Sequence, residues 1–164
     1  MLLSTIKKYQ RAGLIVSLPV VLFVFDRMLK NLFGFSERYW PVWGDWVYLA
    51  FVANPGIAFG IALADWLIIS LTAVIMIYLI HLLIRSWQMQ NWWEILAIIL
   101  ILAGAASNLL DRIFYGVVID YIVVSQLTVL NLADVMITMG VVGLVGVHLF
   151  PPNVIPAPSV IGRK

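Results

Sequence analysis

From Trp66 to Ile84 the chain runs nineteen residues in which His81 is the only side chain that can carry charge near neutral pH. Wound as a helix, a stretch of that length matches the hydrocarbon thickness of a bilayer. Three more stretches have the same character: Ala12 to Phe33, Trp92 to Leu110 and Val129 to Phe150. Backbone crossing lipid must satisfy its own hydrogen bonds, so all four are predicted as helices. Composition closes off the soluble alternative. Hydrophobic residues make up 63% of the 164 and charged residues 11%, against roughly 45–50% and about 25% in soluble domains. Ten basic and eight acidic side chains cannot cover a core of this size. A soluble globule, a disordered chain and a nucleic-acid binder are thereby excluded. The absence of cysteine excludes a disulfide scaffold, a thiol nucleophile, a cysteine zinc site and an iron–sulfur cluster. The expected fold is an α-helical polytopic membrane protein with four transmembrane helices.

Charge sets the expected orientation. Lys7, Lys8, Arg11, Arg85, Arg163 and Lys164 fall on one side with only Glu94 against them. The other side holds Arg27, Lys30, Arg38 and Arg112 together with Asp26, Glu37, Asp45, Asp65, Asp111, Asp120 and Asp134. Both termini are therefore expected in the cytoplasm, and the acidic side outward. The basic start followed by an apolar run is like a signal peptide. Asp26 and Arg27 follow in place of a small-residue cleavage site, so the segment is read as a retained first helix. Residues 1–150 are expected to form one membrane-embedded domain. Residues 151–164, with Pro151, Pro152, Pro156 and Pro158, are expected to be an irregular cytoplasmic tail.

The outer connections are unequal. The first, from Asn31 to Asp65, carries Tyr39, Trp40, Trp43, Trp46 and Tyr48, which suit a membrane–water interface. Residues Trp46 to Val52 are rich in β-branched and aromatic types and predict a strand. Asn54-Pro55-Gly56 then predicts a turn. Gly116 to Val124 predicts a second strand, so a small sheet is expected at the outer surface. Gly140, Gly143 and Gly146 line one side of the last span and are expected to admit a neighbouring helix.

Ionisable groups within a span need a partner or a task. Asp26 and Lys30 are spaced i, i+4 and read as a neutralising pair. Arg112, beside Asp111, either neutralises carboxylates or holds a substrate carbonyl through its planar fork. Asp120 and Asp134 have no basic residue within four positions. A returning loop brings them together at the outer boundary. Two carboxylates in a low-dielectric site share one proton, an arrangement that performs acid–base hydrolysis. The plainer reading is that Asp120 caps a turn and Asp134 bonds backbone at a helix start. Other chemistries fit worse. There is no HExxH, no P-loop and no Rossmann glycine pattern, and no metal or cofactor is expected. A transporter, with Asp26, Asp111, Asp120 and Asp134 around an ion, remains an alternative at this level.

Five pieces in order resemble one family, the lipoprotein signal peptidases. Asp26-Arg27-Met28-Leu29-Lys30 resembles its Asp-x-x-Ser/Thr-Lys. Asn54-Pro55-Gly56-Ile57-Ala58-Phe59 resembles Asn-x-Gly-x-Ala/Ser-Phe. Residues Ala103 to Arg112 resemble Gly-Gly-x-x-Gly-Asn-x-x-Asp-Arg. Gly116 to Ile122 is similar to Gly-x-Val-x-Asp-Phe, and Leu130 to Asp134 to Phe-Asn-x-Ala-Asp. The resemblance implies an aspartic endopeptidase of the bacterial inner membrane, with a β-cradle on its extracytoplasmic face. Its substrate would be a diacylglyceryl-modified prolipoprotein, cut before the lipidated cysteine, and globomycin-type cyclic peptides would inhibit it. Catalytic roles fall on Asp120 and Asp134. Substrate-binding or supporting roles fall on Asn54, Gly56, Asn108, Arg112, Asn131, Asp26, Lys30 and Asp111. The sequence departs from the pattern at Leu29, Ala103, Ser107, Tyr121 and Leu130. An inactive relative that binds lipidated peptides without cutting them is a further alternative that these departures raise.

Overall fold

The computed structural model describes residues 2–56, 64–125 and 127–150. The expected tail and the Ile57-Ala58-Phe59 part of the second motif lie outside the described residues. Helix α1 (Leu2–Phe33) is followed by strands β1 (Tyr39–Trp43) and β2 (Val47–Asn54), then helices α2 (Asp65–Met89) and α3 (Trp92–Tyr115). Strands β3 (Val118–Val124) and β4 (Thr128–Leu130) lead into α4 (Leu132–Leu149). The described residues thus form a mostly helical protein with one four-stranded antiparallel sheet in the order β1-β2-β3-β4. Among them, α2, α3 and α4 are long and apolar enough to cross a membrane.

Helix α3 is the central one. It buries 39% of its apolar window inside the protein, against 11% for α2 and 17% for α4. Its buried residues Gly104, Ser107, Asn108 and Asp111 recur at i, i+3, i+4 and i+7, the spacing of one helical face. At Gly104, α3 comes close to α4. A Cβ added there would lie 2.4 Å from the carbonyl oxygen of Ala133. At Gly140 an added Cβ would lie 2.6 Å from the carbonyl oxygen of Ala97. The expectation for the last span's glycines therefore holds at Gly140 alone. Gly143 has only an ordinary 3.4 Å neighbour, and Gly146 has none within 4 Å. Helix α3 ends at Gly116, whose φ of +72° favours glycine, and the chain turns directly into β3.

Two strands differ from expectation. The sequence places Val129 and Leu130 in the last span, but with Thr128 they pair with Ile122–Val124 as β4, so α4 starts three residues later, at Leu132. Strand β1 was not expected, and Pro41 sits inside it. It occupies the sheet edge, where a missing backbone N–H is tolerated. Its Tyr39, Trp40 and Trp43 are exposed, as is Trp46 beside it. In contrast, α1 ends at Phe33, where the sequence ends the first span.

Substitution Gly104→Ala is expected to force α3 away from the first turn of α4 and to cost about 1–3 kcal/mol. Gly146→Ala is expected to stay within about 0.5 kcal/mol. Thermal unfolding in one detergent checks the difference.

Candidate active site

The sheet meets the helices where β3 packs against the C-terminal ends of α1 and α3 and the chain enters α4. Every expected site residue in the described part converges there. Asp26, Lys30, Asp111, Asp120 and Asn131 are fully buried, as is Ser107. Among the described residues no buried side-chain nitrogen or oxygen lacks a hydrogen-bond partner. Unpaired polar groups are costly in apolar surroundings, so this network is a condition of folding as well as a site.

The lower half of the network is ionic. Lys30 Nζ lies 2.6 Å from Asp111 Oδ2 and 3.4 Å from Asp26 Oδ2, and it donates to Asn108 Oδ1 at 2.7 Å. The i, i+4 pair expected within α1 exists, but the shorter partner comes from α3. Asp111 is also paired with Arg27 and accepts from the Ile119 backbone N–H at 3.2 Å. One carboxylate thus joins α1, α3 and β3.

The upper half holds the two aspartates. Asp120 lies opposite Val52 in the β2–β3 register. Asn54 lies two residues beyond Val52, on the same face of β2. Its amide donates to Asp120 Oδ2 at 2.9 Å. Asn131 Nδ2 donates to the other oxygen at 2.6 Å. Asn131 is also the N-cap of α4. Its side chain accepts from Asp134 N at 2.9 Å, while Asp134 Oδ2 accepts from Asn131 N at 3.1 Å. This reciprocal capping box fixes Asp134, whose Oδ1 accepts from Asn108 Nδ2 at 2.8 Å. The plainer reading is therefore right for one oxygen of Asp134: it does bond backbone at a helix start. Asp120 is a strand residue and caps no turn.

Burial pushes the Asp120 carboxyl up from its ordinary 3.8 to about 6, and the Asp134 charge adds to the rise. The amides of Asn54 and Asn131 and the Lys30 charge oppose it. Burial also raises the Tyr121 hydroxyl, with the Asp26 charge in support, so Tyr121 stays protonated and able to donate. Arg112 reaches back to the first connection, where its Nη2 donates to the carbonyl of Gly56 at 2.8 Å. The Gly56 N–H in turn donates to Asn54 Oδ1 at 3.1 Å. The Asn54-Pro55-Gly56 segment is thus tied to Asp120 at one end and to Arg112 at the other.

Sequence reasoning did not assign site roles to Tyr121, Ser107 and Arg27. Ser107 was legible as part of the polar stripe on α3. Tyr121, within an apolar strand, carried no local signal of its partners.

The fold and site together define a multi-pass membrane protein with two acidic residues held by one asparagine. The signal peptidase (SPase) II family model matches residues 18–150. A lipoprotein signal peptidase of Streptomyces griseus is 34% identical over 135 residues, covering 77% of this chain and 68% of that protein. One from Moorella thermoacetica is 33% identical over 124 residues, covering 76% and 82%. A solved bacterial membrane enzyme aligns with a TM-score of 0.69 at 25% identity, covering 84% of this chain and 87% of its own. The chain belongs to the signal peptidase II family and by that membership is a peptidase.

Asp120 is expected to lose its proton near pH 6. Removing an amide donor takes away stabilisation of the ionised form, so Asn54→Ala is expected to move that midpoint upward. Infrared titration of the protonated-carboxyl band, with Asp120→Asn to assign the component, checks both.

Proposed function

We propose that Asp120 and Asp134 are the catalytic pair of an aspartic endopeptidase that removes signal peptides from diacylglyceryl-modified prolipoproteins. Family membership supports prolipoprotein processing. The residue assignment rests on one observation: Asn131 binds Asp120 through its side chain and Asp134 through its backbone. Two carboxyls from separate elements are held beside each other by one residue.

The pair shares one proton. We assign it to Asp120, which is wholly buried and keeps its proton up to about pH 6. Asp134, which is only part-buried, acts as the base: it takes a proton from a water molecule whose oxygen attacks the carbonyl carbon preceding the lipidated cysteine. Asp120 gives its proton to the carbonyl oxygen. As the tetrahedral intermediate collapses, the carbon–nitrogen bond breaks, one hydroxyl returns its proton to Asp120, and the proton held by Asp134 goes to the departing cysteine amine. The new carboxyl end leaves with the signal peptide. Asn54 and Arg112 hold the substrate backbone in this reading, exchanging their present partners Asp120 and Gly56 for it. Lipid anchoring of the substrate makes the attack effectively intramolecular and limits which bond reaches the pair.

The same reading gives α1 as a fourth membrane crossing. Residues 1–150 then form one embedded domain, followed by a cytoplasmic tail. The basic residues place both termini in the cytoplasm of a bacterial inner membrane. The sheet then lies at the extracytoplasmic face. Its exposed Trp40, Trp43 and Trp46 sit among lipid headgroups as a cradle over the substrate. Neither a metal nor another cofactor enters the chemistry, and globomycin-type cyclic peptides compete for the cradle.

Asp120→Asn and Asp134→Asn are each expected to lower kcat/KM for a diacylglyceryl-modified precursor by about 10²–10⁴-fold, the usual worth of a positioned acid or base. Both variants are expected to stay folded and inserted. Wild-type turnover is expected to stop on adding a globomycin-type peptide. Undiminished cleavage by purified Asp134→Asn overturns the assignment.

A further inference from the structure

The first turn of α4 leaves backbone N–H groups that no helical carbonyl can satisfy. Each finds a different partner. Asp134 N donates to the Asn131 side chain at 2.9 Å, as the capping box requires. Ala133 N donates to Asp26 Oδ1 at 3.2 Å, a carboxylate on another helix. Leu132 N donates to the hydroxyl oxygen of Tyr121 at 3.0 Å. That same hydroxyl donates to Asp26 Oδ1 at 2.9 Å, and Asp26 Oδ2 accepts from Ser107 Oγ at 2.5 Å. Tyr121 is 1% exposed and Asp26 0%, so no water competes for these bonds.

The position of this hydroxyl matters because of what flanks it. Tyr121 follows Asp120 on β3, and Leu132 lies two residues before Asp134 on α4. The Tyr121–Leu132 bond is therefore a second tie between the elements carrying the two acids, on the opposite face of the strand from the Asn131 tie. Asn131 ties α4 to β3 at one point, while Asn108 and the close contact at Gly104 hold it against α3. The Tyr121 bond adds a second tie to β3, anchored to α1 through Asp26.

We infer that Tyr121 is a positioning residue for cleavage, its hydroxyl bridging Leu132 N–H to Asp26 and thereby setting the separation of Asp120 and Asp134. The inference rests on the catalytic assignment above. Misplacement of reacting groups by about 1 Å costs about 100-fold, so loss of the bridge reads out in kcat. Substrate contacts are untouched, so KM stays.

Tyr121→Phe keeps the buried ring and removes the hydroxyl. Leu132→Pro breaks the same bond from the other end. Proline is well suited to the first helical position, and the extended Asn131 (φ −130°, ψ 176°) suits the residue before it. With purified full-length protein and a diacylglyceryl-modified precursor, each variant is expected to lose about tenfold or more in kcat, with KM within about twofold. In the Leu132→Pro background, Tyr121→Phe is expected to cost less than about twofold further. Should Tyr121→Phe fail to fold, the kcat and KM of Leu132→Pro decide the matter alone. A folded variant with the wild-type kcat, a loss confined to KM, or two fully multiplicative losses overturns the inference. Asp134→Asn in the same assay separates the two levels. If it is inactive while Tyr121→Phe is fully active, only the positioning role fails; if it turns over, the catalytic assignment fails.

Discussion

Lys30 carries its ammonium group into a fully buried position, and the site is arranged around that charge. An unpaired cation in such surroundings is not tolerated, while a paired and hydrogen-bonded one is. Asp111 supplies the nearer carboxylate at 2.6 Å and Asp26 the farther at 3.4 Å, and Asn108 fills the remaining donor direction. Removing either carboxylate leaves buried charge less compensated. The ends of α1 and α3 are therefore locked together, and Asp111 extends the lock to β3 through Ile119 N–H.

The same economy recurs at the start of α4. A helix beginning beneath a sheet cannot turn its free N–H groups to bulk water, so they must find partners in the protein. They find Asn131, Asp26 and Tyr121. The consequence is that stability and proposed chemistry use the same atoms. Asp134 closes the capping box with one oxygen and accepts from Asn108 with the other. Asn108 in turn accepts from Lys30. The ionic floor of the site and its upper carboxylates are one continuous network.

Close helix contact makes this network possible. Gly104 lets α3 approach the carbonyl of Ala133, one residue before Asp134. That approach brings Asn108, one turn further along α3, within reach of Asp134. Ser107 fills the neighbouring position with a hydroxyl that Asp26 uses. A larger residue than the family pattern's glycine thus acts here as a hydrogen-bond donor.

The apolar runs that become α2, α3 and α4, the cluster of carboxylates and the aromatic first connection were all legible in the chain. Span length, period and charge are local properties, and lipid leaves the backbone few choices. Asp120 and Asp134 stood out because nothing nearby in sequence neutralises them. The strand status of Val129 and Leu130 was not legible, because an apolar run beside a helix start looks like helix until its partner strand is known. Pro41 likewise hid β1, since only the sheet order reveals an edge. The sequence determined which groups must be buried and therefore paired. Which group pairs with which was decided in three dimensions: Lys30 with Asp111 across 81 residues, Tyr121 with Asp26 across 95. Hydrogen bonds depend on ångström-scale approach between elements, and no spacing along a chain encodes that distance.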